Sequence, residues 1–163
     1  MFRPMRRMNQ ELTTEETEQI MKSVPTGILA VHGDNGYPYT VPLNFVYDNG
    51  AVYFHCSKSG HKIDAIKNND KVSFCVVAKD KVIPQKFATD YYSVILFGRA
   101  KILSENDEII NTLKLINQKL APDFSKEGNL EIEQAIDKVC IVKIETDHIT
   151  GKAAIDGIRD TAE

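Results

Sequence analysis

The chemically richest stretch of this 163-residue chain is AVYFHCSKSGHKIDAI, residues 51–66. An apolar alternation runs there into Ser57, Lys58, Ser59, Gly60, His61 and Lys62, and then into a helical spacing with Ile63 and Ile66 three apart. A strand that ends in a short polar bend and opens a helix leaves backbone N–H groups beside hydroxyls and cations, with Gly60 permitting close approach of the main chain. This is the donor set a phosphate dianion needs. The longer Gly-rich loop ending in Gly-Lys-Ser/Thr is missing, so a monophosphate fits better than a nucleoside triphosphate. A solvated turn rich in small polar residues would have the same composition. Period-two alternation sets His55 beside Tyr53 and Ala51, while Val52, Phe54 and Cys56 take the more apolar face. A histidine at a strand end next to an anion loop can donate a hydrogen bond or a proton, or can serve structure alone.

The preceding segment, VPLNF, carries Pro42, Leu43 and Asn44 inside an otherwise strand-like run. Proline removes one ladder N–H and bends the strand, which can open a slot for a planar ligand that Asn44 and the main chain hydrogen-bond. The alternative is an edge strand protected by Pro38 and Pro42. Metal chemistry finds no compact ligand spacing among His32, His55, His61 and His148, and Lys58 and Lys62 would repel a cation at the bend. Cys56 falls on the face of Val52 and Phe54, where a small thiol packs rather than attacks.

Several elements must position these groups. Thr13 and Glu16 form a capping-box pattern opening a helix to about Ser23, with Ile20 and Met21 inward. A strand over residues 26–32, the turn Asp34-Asn35-Gly36, a strand over 37–47, the turn Asp48-Asn49-Gly50 and a strand over 51–56 read as an antiparallel meander, because Asn-Gly supplies the positive φ angles of tight hairpins. This disfavours a parallel nucleotide-binding sheet. A short helix over 61–68 and a strand over 72–78 follow, then a polar connection over 79–90. Residues 91–103 read as the longest strand. Both its faces are apolar, so one lines a core and the other needs a helix or a second copy of the chain. Ser104 reads as the cap of an amphipathic helix through Ile109, Leu113, Ile116 and Leu120 that stops at Pro122. A helix over 130–138 and a final strand over 139–146 complete the chain. The fold class is mainly β, an α+β arrangement of about six antiparallel strands in a small barrel flanked by helices.

Size and composition agree with one domain over residues 1–163, comprising an arm over 1–10 with Arg3, Arg6 and Arg7 and a tail over 153–163. Hydrophobic residues are 42% and charged residues 26%, an ordinary globular balance that can bury a core. A net charge of -3 argues against a nucleic-acid coat. No apolar run is long enough to span a membrane and no secretory signal is present, so a cytoplasmic protein with no membrane partner is expected. Three widely spaced cysteines suggest reduced core thiols rather than a disulfide framework or a zinc site.

The order GYPYTVPLNFVYDNGAVYFHCSKSGHKIDAIKNNDKVSF, followed by TDYYSVILFGRAKIL and a late HITGK, resembles the flavin-binding split-barrel proteins related to pyridoxamine 5'-phosphate oxidase, most of all the nitroimidazole-resistance, or Nim-type, branch. The resemblance covers most of the chain, from Arg6-Arg7 to Lys152. It implies a six-stranded antiparallel split β-barrel that binds FMN as a homodimer, with a flavin site at each end of the subunit interface. Carried over by position, Pro42, Leu43 and Asn44 border the flavin ring and His55 lies near it as a proton source. Ser57, Gly60, His61 and Lys62 surround the phosphate, and Ser93 reaches the flavin from the long strand. Where the oxidases have an Arg-Lys pair, His61-Lys62 stands here, so one permanent charge becomes a titratable one. The Arg/His-rich C-terminal segment the oxidases use for pyridoxal phosphate has no counterpart in GKAAIDGIRDTAE. The implied activity is therefore an FMN-dependent oxidoreductase passing electrons, from NAD(P)H or another donor, to a nitroaromatic or other small acceptor. A flavin-storing or flavin-sensing protein without turnover, and a split barrel using haem or F420, are the alternatives.

Overall fold

The computed structural model describes residues 1–136 and 138–154. Four helices, α1 (Thr14–Ser23), α2 (His61–Asn68), α3 (Asn106–Leu120) and α4 (Ser125–Ala135), accompany seven strands. These are β1 (Thr26–His32), β2 (Pro38–Asn44), β3 (Val46–Asp48), β4 (Ala51–Ser57), β5 (Lys71–Ile83), β6 (Ala88–Ile102) and β7 (Val139–Ala154). They form one antiparallel sheet in the order β2-β1-β5-β6-β7-β4-β3. The two edges of that sheet are consecutive in sequence, separated by Phe45 alone, so the sheet curls until its edges meet at one residue and then diverge. The result is a split barrel, joined by the chain but not closed by hydrogen bonds.

The strand read over 37–47 is thus two strands, which makes seven of the expected six. The break falls at Phe45, whose side chain is fully buried and whose N–H donates to the Pro25 carbonyl at 3.1 Å. Phe45 meets Phe74 edge to face at 4.9 Å, and Leu29, Val52, Phe54, Val76, Val94 and Leu96 fill the interior around them. Each such side chain contributes roughly 1.5–3 kcal/mol when removed from water.

The capping box of α1 is complete: the Thr13 N–H donates to the Glu16 carboxylate at 2.8 Å, and the Glu16 N–H donates to Thr13 Oγ1 at 3.2 Å. Both Asn-Gly turns take the left-handed backbone expected of them, with φ of 56° and 79° at Asn35 and Gly36 and 47° and 77° at Asn49 and Gly50.

Other boundaries differ from the sequence reading. Residues 79–90 are not a connection but the outer arms of the β5–β6 hairpin, paired from Lys79↔Tyr92 to Ile83↔Ala88. The longest strand is β7, because the final strand continues past Thr146 to Ala154. The rest of the expected tail, residues 155–163, lies outside the described residues. Ser104 does not cap α3. Glu105 holds that position without a side-chain bond, and the Ser104 hydroxyl donates to the Glu105 carboxylate instead. The helix read over 130–138 lies earlier, as α4. Among the described residues, no helix is long and apolar enough to cross a membrane.

Helices cover only part of the barrel exterior. α3 and α4 shield the start of β7 and its neighbours, where Leu103, Ile109 and Ile141 form a second buried cluster. Among the described residues nothing covers most of the outward face of β1, β5 and β6, where Ile28, Val77, Ile95 and Phe97 are exposed by 40%, 51%, 43% and 39%. The N-terminal arm crosses one corner of it, where Phe2 stacks on His148 at 4.7 Å and on Phe97 at 5.4 Å.

Candidate functional site

The split is the feature that gathers chemistry. β3 pairs with β4 only from Val46↔Tyr53 to Asp48↔Ala51. Beyond that point β2 turns away to pair with β1 along its whole length, while β4 continues against β7 as far as Ser57. Residues 38–44 on one side and 54–57 on the other therefore present strand edges with no ladder partner among the described residues. Had the β3–β4 register continued, Asn44 would face His55, Leu43 would face Cys56 and Pro42 would face Ser57. Instead these residues flank a V-shaped notch with its apex at Phe45. From Asn44 to Tyr39 the β2 side is roughly 17 Å long at about 3.4 Å per residue.

The open end of the notch carries the polar bend. Gly60 precedes α2 with φ 124°, a backbone that side-chain-bearing residues avoid, and no side chain caps the helix. The N–H groups of Ile63 and Asp64 return to the Gly60 carbonyl, which leaves the earlier amides of the turn for an incoming acceptor. His61 stacks on Tyr39 at 4.1 Å, tying the bend to the far end of β2, and its Nε2 stands 3.7 Å from the Asp34 carboxylate. Lys62 lies near enough to Cys56 to favour its thiolate, although burial dominates and pushes that thiol up to about 11. Asp64 shares the first turn of α2, so an anion held here relies on Lys62, His61 and the main chain to outweigh it.

At the apex the Asn44 amide donates to the Pro25 carbonyl at 3.2 Å and to Thr26 Oγ1 at 3.1 Å, which leaves its own oxygen to accept. Lys119, from the last turn of α3, donates to the Val24 carbonyl at 2.7 Å and the Met21 carbonyl at 3.3 Å, with its ammonium 4.1 Å from the Phe45 ring centre. Burial draws this lysine down to about 8. His55 is exposed on the outward side of β4 and lines a 250 Å³ pocket with Leu113, Ile116, Asn117 and Glu131 of α3 and α4.

Pro42, Leu43 and Asn44 thus lie on the β2 side of the split, Ser57 ends β4 on the other, and Gly60, His61 and Lys62 form the bend and first turn of α2 that follow it, while His55 faces the α3–α4 pocket. Leu43 points inward and packs against the core, whereas Pro42 and Asn44 point outward with Ile28 and Thr26. Ser93 is placed elsewhere. It sits on β6, three strands from Asn44 and about 14 Å away at 4.8 Å per strand, beside a 170 Å³ pocket lined by Arg3 and Lys152. The bland reading of β2 holds as well, since it is an edge strand bearing both prolines. Tyr39 and Lys119 escaped the sequence reading. Nothing local distinguishes Lys119 from a surface lysine ending an amphipathic helix, while Tyr39 between Pro38 and the VPLNF run is detectable only as an aromatic on an edge strand.

A separate cavity of about 720 Å³ is lined by Phe2, His32, Tyr37, Pro38, Phe97 and Arg99 and by none of the site residues expected from the sequence. Its guanidinium is already engaged, by Asp70 at 3.1 Å and Asp147 at 3.6 Å, which makes it a poor anion site.

A split with two main-chain edges that lack a ladder partner among the described residues, an apolar apex and a bend of hydroxyls, main-chain amides and Lys62 has the donor chemistry that a planar, hydrogen-bonding ring carrying a phosphate requires. Residues 13–153 match the pyridoxamine 5'-phosphate oxidase family, and the chain belongs to it. A search of curated proteins found no match. Among solved structures, the chain is similar to a protein of Bacteroides thetaiotaomicron described as a candidate 5-nitroimidazole antibiotic resistance protein, at 24% identity and TM-score 0.76 over 88% of this chain and 86% of that one. It is also similar to an FAD and heme binding protein of Mycobacterium smegmatis, at 18% identity and TM-score 0.79 over 94% and 77%. An FAD binding protein of the same organism matches at 21% identity and TM-score 0.64 over 90% and 99%. At these identities the likeness shows the fold.

Proposed function

We propose that the notch binds FMN, one per chain, and that the protein is an FMN-dependent oxidoreductase acting on a small acceptor, with nitroaromatics as the substrate class. The observation that carries this reading is the divergence of the β2 and β4 edges from Phe45 with the 57–62 bend across the open end. It offers a slot for a ring and a donor cluster for a monophosphate within one strand length of each other. The flavin-binding and nitroimidazole-related neighbours support the class of ligand and of acceptor.

In this reading Ser57, the amides after Gly60, His61 and Lys62 hold the phosphate, with Lys62 supplying an ammonium to it. Pro42 denies the β2 edge one competing N–H, and the Asn44 oxygen accepts from the ring's polar edge. The inward side chains of Leu43 and Phe45 keep water from the apex. His55 presents an imidazole N–H beside the α3–α4 pocket, where an acceptor reaches it and can take a proton. Bound FMN supplies two-electron transfer from a nicotinamide donor to that acceptor. The open sheet face is covered by a second copy of the chain, and Ser93, too far from its own notch, contributes to the partner copy's site.

The test is anaerobic: protein reconstituted with FMN is mixed with NADH or NADPH, and then with a 5-nitroimidazole. The reading predicts bleaching of the flavin band by one nicotinamide, and its return as the nitro absorbance falls. Bound FMN that neither donor reduces contradicts the oxidoreductase reading, and a preparation that retains haem or FAD in preference to FMN contradicts the cofactor.

A further inference from the structure

Cys56 and Cys140 stand directly opposite one another on β4 and β7, and the two side chains share a hydrogen bond. Facing residues of an antiparallel ladder have Cα atoms about 4.5–5.5 Å apart, which falls inside the roughly 4.4–6.8 Å that a disulfide spans. Both side chains point to the same inward face, where Cys140 is buried and Cys56 packs half-buried against the main core. The third cysteine, Cys75, faces Ile28 and Ile95 on the outward side of β5, so the barrel wall separates it from the pair.

The place of the pair gives it a consequence. Cys56 immediately precedes Ser57, the last residue of β4, from which the bend at 58–60 leads into α2. Burial foremost, with Cys140 adding to it, keeps the Cys56 thiol protonated at neutral pH, and only Lys62 acts in the other direction. First attack by such a thiol is slow. Once it has occurred, however, the second sulfur is already in contact, so ring closure outruns further oxidation.

We propose that Cys56 and Cys140 are a redox-closable pair, oxidised by a hydroperoxide to a cross-strand disulfide that staples β4 to β7 at the root of the 58–60 bend. The Cys56 sulfur, as thiolate, attacks hydrogen peroxide; an S–O bond forms, the O–O bond breaks, and the released hydroxide takes up the thiol proton as water. The Cys140 sulfur then displaces the oxygen from Cys56; the S–S bond forms and a second water leaves with the Cys140 proton. Two electrons and two protons pass from the thiols to one peroxide, which becomes two waters. A dithiol reductant reverses the closure. Resting on the FMN reading above, the staple also weakens the grip of the bend on FMN, because a covalent link one residue before Ser57 removes the freedom with which the end of β4 and the bend adjust to a phosphate.

The full chain is treated with hydrogen peroxide in native buffer, quenched, unfolded, alkylated with N-ethylmaleimide and mapped by mass spectrometry with and without dithiothreitol. The expected result is a chain lighter by two hydrogens. Cys56 and Cys140 stay unalkylated until dithiothreitol is added, Cys75 is alkylated throughout, and the two-hydrogen loss disappears in Cys140→Ser. Free Cys56 and Cys140 after treatment, a sulfinic acid at Cys56 with no cross-link, or a bridge to Cys75 would overturn the proposal. FMN titration of the reduced and oxidised forms reads the second effect, expected as at least a fivefold rise in Kd on oxidation; equal affinities overturn it. If the reduced chain binds no FMN, the cofactor reading fails while the alkylation map still decides the staple.

Discussion

At the scale of single residues, Lys119 illustrates how burial and hydrogen bonding contend. Two main-chain carbonyls and the Phe45 ring favour its cation, and burial opposes it and prevails, lowering the group from its usual value near 10.5 to about 8. Between about pH 8 and 10.5 the unfolded chain keeps a proton that the folded chain has released. The unfolded state then binds more protons, and stability rises with pH across that window. Below about pH 8 the full cost of burying the charge is present. Lys119→Met, which keeps an unbranched chain of similar length and removes the charge, should erase this dependence. Urea denaturation at pH 7.5 and 10.5 is expected to show the wild type gaining on the variant by about 1–3 kcal/mol over that interval, a range that allows for partial exposure. A constant difference would mean that burial does not control this lysine. Such a residue is invisible in a sequence, since its environment is assembled from α1, the strand break and α3. His55, Gly60, His61 and Lys62 can be picked out as candidates from the sequence because they lie close together along the chain and their types suit one chemistry.

At the scale of elements, what could be read was whatever is specified locally. The capping box of α1, the two Asn-Gly turns and the span of α2 depend on residues within a few positions of one another, and all appear where their patterns put them. The outer arms of the β5–β6 hairpin did not, because beyond Val77 the strands leave the core and lose the apolar alternation that marks a half-buried strand. The division of residues 37–47 at Phe45 also has no local signal. It arises from closing the barrel, when one edge must pair with β1 and the other with β4. The bend before α2 is the element on which the proposed site depends, and Gly60 can be tested by itself. A Cβ there would meet nothing within 4 Å, so Gly60→Ala adds no clash, and its cost is that of a φ of 124° alone. That cost is about 1–3 kcal/mol. The loss should appear as a lower urea midpoint with α2 retained in the circular dichroism spectrum, and FMN affinity should fall with it. A variant as stable as the wild type would show that the bend does not need this backbone.

At the scale of the whole molecule, the open face of β1, β5 and β6 is the largest departure from a self-sufficient fold. Ile28, Cys75 and Ile95 run across it in one register row, and Ala30, Ser73 and Phe97 in the next. The sequence showed that residues 91–97 are apolar on both faces, but the described residues supply cover for only one of them. We propose a second copy as the cover for the other. Ile95→Glu, placing a charge mid-face, should then turn a dimer into a monomer by sedimentation equilibrium with the far-ultraviolet spectrum unchanged. A wild-type chain that sediments as a monomer at micromolar concentration would contradict the shared interface.

The central claim, that the bend at the mouth of the split grips the phosphate of FMN, is tested most directly by equilibrium titration of the apoprotein with FMN, followed by quenching of flavin fluorescence, for the wild type and Lys62→Glu. The account predicts saturation at one FMN per chain, with a Kd at least tenfold higher in the variant, about 1.4 kcal/mol, because a carboxylate would replace the ammonium facing the phosphate. A wild type that does not quench FMN, or a Lys62→Glu chain that binds it as tightly as the wild type, would contradict it.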